Sequence, residues 1–144
     1  MNLVRNQGKA KWTALGRRFL LIDGIGAMVS YVCLAWILPA IQGRIGMPMD
    51  ALEWLSLPPA VFAAYSLGCF LLSGDRWRGL LIGVAVANLG YCCLSVGFLA
   101  MESGNLTALG WAYFVGEILI VAGLAILELR VAKSGASSQG MPAA

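Results

Sequence analysis

A chain of 144 residues that is 60% hydrophobic and only 12% charged, with a mean hydropathy of +0.80, lies far from the soluble average of about 45–50% apolar and about 25% charged. The length allows one domain, and the composition excludes an ordinary water-soluble one. The net charge of +3 gives no case for nucleic acid as a partner, and its distribution along the chain reads instead as a sign of membrane topology.

Four uninterrupted apolar stretches, 19–41, 52–72, 79–101 and 107–127, are each long enough to cross a hydrocarbon layer of about 30 Å at about 1.5 Å per residue. They predict an all-α fold, an integral membrane four-helix bundle, with the lipid bilayer as its first partner. The pieces left between and beside them are too short for a soluble catalytic domain. The chain has no histidine, which removes imidazole bases, bis-histidine haem ligation and the H-E-x-x-H zinc motif. Its cysteines, Cys33, Cys69, Cys92 and Cys93, form no C-x-x-C pair, so they read as small packing residues. No catalytic residue, metal site or cofactor is expected.

In chain order, residues 1–18 form a basic arm with Arg5, Lys9, Lys11, Arg17, Arg18 and one tryptophan, Trp12; its polarity fits either an amphipathic lead-in or a flexible segment. The first span is too long for the apolar region of a signal peptide, and no small-x-small cleavage site ends it. It carries Asp23, Gly26, Ser30 and Cys33 on one narrow stripe, a surface suited to close helix contact. Asp23 is about 6 Å inside the predicted boundary, within reach of Arg17, Arg18, Arg78 or Arg130, so an ion pair at the interface is expected there. The 42–51 loop contains Gly43, Gly46 and Pro48, a turn, and Trp54 reads as an interfacial anchor. Pro58 and Pro59 predict a kink in the second span or a late start to it. Farther along that span, Tyr65 and Cys69 share a face. Trp77 and Trp111 read as further belt anchors, and Glu128 as an interfacial end to the fourth span. The tail 134–144 is small and polar and is expected to be disordered.

Orientation follows from the basic residues. Nine of the ten fall in the N-terminal arm, the 73–78 loop and the segment after the fourth span (Arg130, Lys133), and Arg44 alone falls on the other side. The positive-inside rule then predicts both termini in the cytoplasm, as in a multi-pass protein of a bacterial inner membrane. Asn105-Leu106-Thr107 matches a glycosylation acceptor but lies too close to the membrane to be used.

The residues that can carry chemistry are few. A carboxylate deep in a span must pair, take up a proton or face a polar cavity, and Glu117 is the clearest case, about 15 Å from the outer end of its helix. Asn88 is expected at nearly the same depth, where its amide would meet Glu117 across the bundle. Tyr113 precedes Glu117 by one turn and Tyr91 follows Asn88 by one turn. A polar seam of Asp23, Ser30, Tyr65, Asn88, Tyr91, Tyr113 and Glu117 is therefore the candidate ligand- or proton-binding site.

At an offset of sixty, residues 18–35 match 78–95 at eight positions, including Tyr31-x-Cys33-Leu34 against Tyr91-x-Cys93-Leu94. Such a match would mark a parallel duplication of two hairpins, with a shared site between them. The order D-G-x-G-A (Asp23 to Ala27), Y-S with Cys69 (Tyr65, Ser66), N-L-x-Y-C-C-L (Asn88 to Leu94) and Y-F-x-x-E (Tyr113 to Glu117) resembles small four-span bacterial membrane proteins. The resemblance implies a multi-pass fold and brings no assigned activity. Small multidrug-resistance exporters also have four spans and depend on one membrane glutamate, but theirs lies in the first span, whereas Glu117 lies in the fourth.

Two functions of different class fit these features. One is a protein that binds or transports a small molecule or proton at the seam around Glu117. The other is an accessory or scaffold subunit of a larger membrane complex or a lipid-binding protein, with small-residue patches such as Gly83, Ala87 and Gly90 turned toward a partner. Either fits a homo-oligomer or a larger assembly, and an enzyme ranks behind both.

Overall fold

A computed structural model of the chain describes the backbone of residues 2–72 and 76–137, and the side chains of 7, 8, 10–72 and 76–135. Four long helices make up the bundle: α1 (Asn2–Val32), α2 (Met49–Leu72), α3 (Trp77–Met101) and α4 (Ala108–Ser137). Among the described residues there is no strand. Each helix contains a stretch long and apolar enough to cross a membrane, Ala10–Ala40, Met49–Leu72, Trp77–Met101 and Ala108–Gly135. Large apolar side chains such as Leu72, Trp36, Ile120 and Leu119 point outward, while Asp23, Ser66, Asn88, Glu117 and Glu128 are buried. That distribution suits a hydrocarbon surround and is the reverse of a water-soluble bundle. The chain is a multi-pass membrane protein.

Helix α1 does not stop at Val32. A π-helical turn, Cys33–Ile37, and one further turn, Leu38–Ala40, carry it on. The amide of Leu38 bonds the carbonyl of Cys33, five residues back. Pro39 follows immediately, and in a regular α-helix its ring would press on the carbonyl of Ala35; a wide turn removes that clash. A single turn, Gln42–Ile45, then ends at Gly46, whose φ of 82° is left-handed. Glycine is required here, since a Cβ would fall 2.0 Å from the carbonyl oxygen of Asn105. Thr107 completes the clamp between the two loops of this end, its amide bonding the Ile45 carbonyl at 3.1 Å and its hydroxyl the Arg44 carbonyl at 2.5 Å. Helix α4 starts directly from this clamp.

The prolines of α2 neither break the helix nor delay it. It begins at Met49 and runs through Pro58 and Pro59 to Leu72. The basic segment likewise proves helical from Asn2, and α4 continues through residues 134–137, where a disordered tail was expected. Residues 138–144 lie outside the described part. Both extensions have one physical cause. At the end of the bundle that carries the termini, Leu20, Cys69, Trp77, Leu81, Val84 and Ala132 form an apolar cluster, with Trp12 packed against it. The Trp77 indole lies against Gly16 and Gly135 so closely that a Cβ at either would overlap the ring. Trp77 is therefore 1% exposed and is no belt anchor, whereas Trp54 at 64% faces outward as expected. A second apolar cluster fills the loop end around Leu34, Leu52, Leu55, Tyr91, Leu99 and Phe114.

The bundle closes as a ring, α1 against α2, α2 against α3, α3 against α4 and α4 against α1, with the two sequential hairpins packed most extensively. The letter match between the hairpins is not a match of facing. Leu20, Asp23, Gly24, Leu34 and Leu38 are buried, and their counterparts by burial are Leu81, Val84, Ala85, Ser95 and Leu99, an offset of sixty-one. At the offset of sixty, buried Leu34 falls on exposed Leu94. One residue is a rotation of about 100° on a helix, so the shared Tyr-x-Cys-Leu does not place equivalent side chains in a common site.

Candidate functional site

The looser contact between α1 and α4 leaves a cavity of about 440 Å³, lined by Asp23, Ser30, Cys33, Asn88, Tyr91, Tyr113 and Glu117 together with apolar residues of α1, α2 and α4. Its rim includes Val29 and Ile120, which are 58% and 74% exposed, so the cavity opens sideways between α1 and α4 toward the surface that faces lipid. Helical spacing explains the lining. Asp23, Ala27 and Ser30 recur at four and three residues on α1, and Tyr113, Glu117, Ile120 and Leu124 do so on α4, so that each set forms a stripe.

The upper part of the cavity belongs to Glu117. The Tyr91 hydroxyl donates to its Oε1 at 3.3 Å, and Ser30 lies beside it on α1. Its Oε2 is buried without a hydrogen-bond partner. The Tyr91 ring meets Phe62 edge to face, centroids 6.4 Å apart, which fixes the direction of the phenol. On the far side of α3, the Cys92 thiol reaches the carbonyl of Ile118 at 3.8 Å, a packing contact between α3 and α4.

Asp23 lies deeper, and its partners differ from those expected. The Ser66 hydroxyl of α2 donates to Oδ2 at 2.6 Å and the Asn88 amide of α3 to Oδ1 at 2.5 Å. Asn88 thus serves Asp23 rather than Glu117. Of the arginines expected to pair with Asp23, Arg17 donates to the Phe70 carbonyl and stacks over its ring, Arg78 donates to the Ala132 carbonyl, and Arg18 and Arg130 are exposed. The cause is the facing of α1. Asp23 is 3% exposed and turned into the bundle, whereas Arg17 and Arg18 lie exposed on the same helix.

Six of the seven residues singled out from the sequence line this one cavity, and Tyr65 does not. It is 47% exposed, with its hydroxyl near Gly83 on the outer surface. Besides Ser56 and Ser95, two buried polar residues near Asp23 were missed. Ser66 follows Tyr65 by one residue, and the series of small residues Pro59, Ala63, Ser66 and Cys69, all buried, was the signal that it faces inward. Glu128, expected at the interface, is fully buried. It lies eleven residues beyond Glu117, close to three whole turns, and so on the same face of α4. Among the described residues no group of histidine, cysteine and carboxylate side chains is arranged to hold a metal.

Comparison with protein families, curated proteins and solved structures finds no match to this chain.

Proposed function

We propose that the protein binds a small lipophilic molecule carrying a protonated amine, taken up from the bilayer through the opening between α1 and α4. The observation that carries this reading is the buried, unpartnered Oε2 of Glu117 beside a cavity of about 440 Å³ whose walls are mainly apolar. Cavities of roughly 300–1,000 Å³ with apolar walls and a few converging polar groups are the usual form of small-molecule sites. An ionised carboxylate with one free oxygen in such surroundings needs a cation, and an amine supplies charge and hydrogen bond together. Proton and amine then compete for the same oxygen. Exchange of one for the other is the elementary step of a proton-coupled transporter, the role for which such a site is suited. One chain contains the whole cavity, so binding requires no second copy. The distribution of Lys and Arg supports placing both termini in the cytoplasm of a bacterium, with the cavity inside its inner membrane.

The test is a titration of the detergent-solubilised protein with a dansyl-labelled alkylamine and with its neutral N-acetyl counterpart, read by fluorescence. The amine should bind at least tenfold more tightly than the amide, and Glu117→Gln should abolish the difference. Equal binding of both probes to the wild type, or amine affinity unchanged by Glu117→Gln, would overturn the reading. It would leave the accessory-subunit function as the alternative.

A further inference from the structure

Below the amine site, toward the end that carries the termini, each helix contributes one buried polar side chain to a single layer: Asp23 from α1, Ser66 from α2, Asn88 from α3 and Glu128 from α4. The two carboxyl groups differ in a way that decides their charge. Asp23 accepts a hydrogen bond on each oxygen, from Ser66 and from Asn88. Glu128 is 0% exposed, and neither of its oxygens has a hydrogen-bond partner. Its polar neighbours are Asp23 and Asn88. Of the basic side chains at this end, Arg17 and Arg78 are held by the carbonyls of Phe70 and Ala132, Lys11, Arg18 and Arg76 are exposed, and α2 brings the buried thiol of Cys69. On α4 itself, Arg130 and Lys133 are exposed and turn away from the buried Glu128 face.

An ionised carboxylate enclosed without a donor or counter-charge carries a desolvation penalty of several kcal/mol. A second negative charge on the neighbouring Asp23, which its two donors already stabilise, adds to that penalty. We infer that Asp23 and Glu128 form an internal proton-binding site holding one proton, with Asp23 as the hydrogen-bonded anion and Glu128 as the neutral acid. Asp23 belongs to this layer and to the cavity wall at once, so the state of the pair is felt electrostatically where a ligand sits. The inference does not depend on what the cavity binds.

Infrared spectroscopy of the full chain in lipid nanodiscs tests it. The protein is made with glutamate carrying ¹³C in its carboxyl group, which separates Glu from Asp bands, and with Glu117→Gln to remove the other buried glutamate. In sodium-free buffer at neutral pH, a carboxylic-acid C=O band from labelled glutamate should be present, should shift in D₂O and should persist when sodium is added. The further variant Glu128→Gln should lose it. No acid band from labelled glutamate in the Glu117→Gln protein would overturn the inference. So would a band that disappears on adding sodium, because the layer would then be a cation site. The labelled Glu117→Gln protein alone decides the matter if the double variant does not fold.

Discussion

Gly110→Ala is the most exacting test of how the fold sets the depth of the acid in the cavity. Gly110 lies against the loop-end clamp, and a Cβ there would fall 2.2 Å from the carbonyl oxygen of Ile45 and 2.7 Å from a methyl of Leu106. The leucine can rotate away, but the carbonyl cannot, since it accepts from the amide of Thr107 at 3.1 Å and from its hydroxyl at 3.2 Å. Restoring an ordinary contact of 3.4 Å means moving the start of α4 by about 1.2 Å. Two or three hydrogen bonds of the clamp are stretched or lost, at about 1 kcal/mol each, so the expected destabilisation is about 2–3 kcal/mol, within the range for overpacking. Glu117 lies seven residues farther along α4, about 10 Å, and moves with the helix relative to Tyr91 and Ser30. Reversible unfolding in mixed micelles of increasing SDS fraction, followed by circular dichroism, measures the change. Gly123→Ala on the same helix is the control, because a Cβ there meets nothing within 4 Å. Equal stability of the two variants would refute the clamp as the element that sets the register of α4.

Three further outcomes are expected. Asn88→Leu, which leaves an oxygen of Asp23 without its donor, should destabilise by about 1–3 kcal/mol in the same assay; a strictly additive combination with Ser66→Ala would contradict their shared acceptor. Trp77→Ala should lose about 3–5 kcal/mol, as for a buried aromatic, while Trp54→Ala should be close to neutral; a reversal of that order would return Trp77 to the interface. Tyr91→Phe should weaken binding of the dansyl amine several-fold and Tyr65→Phe should leave it unchanged, and an equal effect of both would place Tyr65 back in the site.

The four helices were legible because a run of about twenty apolar residues has few other uses. Their ends were not. Hydropathy stops at the first arginine, but α1 and α4 continue past theirs because Gly16, Trp77 and Gly135 interlock beyond the apolar stretch. The facing of the two acids was not legible either: Asp23 and Glu128 are turned into the bundle, 3% and 0% exposed, rather than toward the arginines at the helix ends. The stripes on α1 and α4 were legible from period alone, so Ser30, Tyr113 and Glu117 were found together. On α2, Tyr65 drew attention as the larger polar group, yet Ser66 continues the line of small buried residues. Pairings across the bundle were not legible, since the relative height of Asn88 against Asp23 or Glu117 depends on helix ends that hydropathy does not fix.

The central claim is that a carboxyl-bearing cavity opens to lipid between α1 and α4. Photolabelling in liposomes with an alkylamine that carries a diazirine on its chain, followed by peptide mapping, tests it most directly. Label should concentrate within residues 26–33 and 113–124 and should fall to background in Glu117→Gln. Label spread evenly over the outward faces of α2 and α3, at the same level in the variant, would contradict the account.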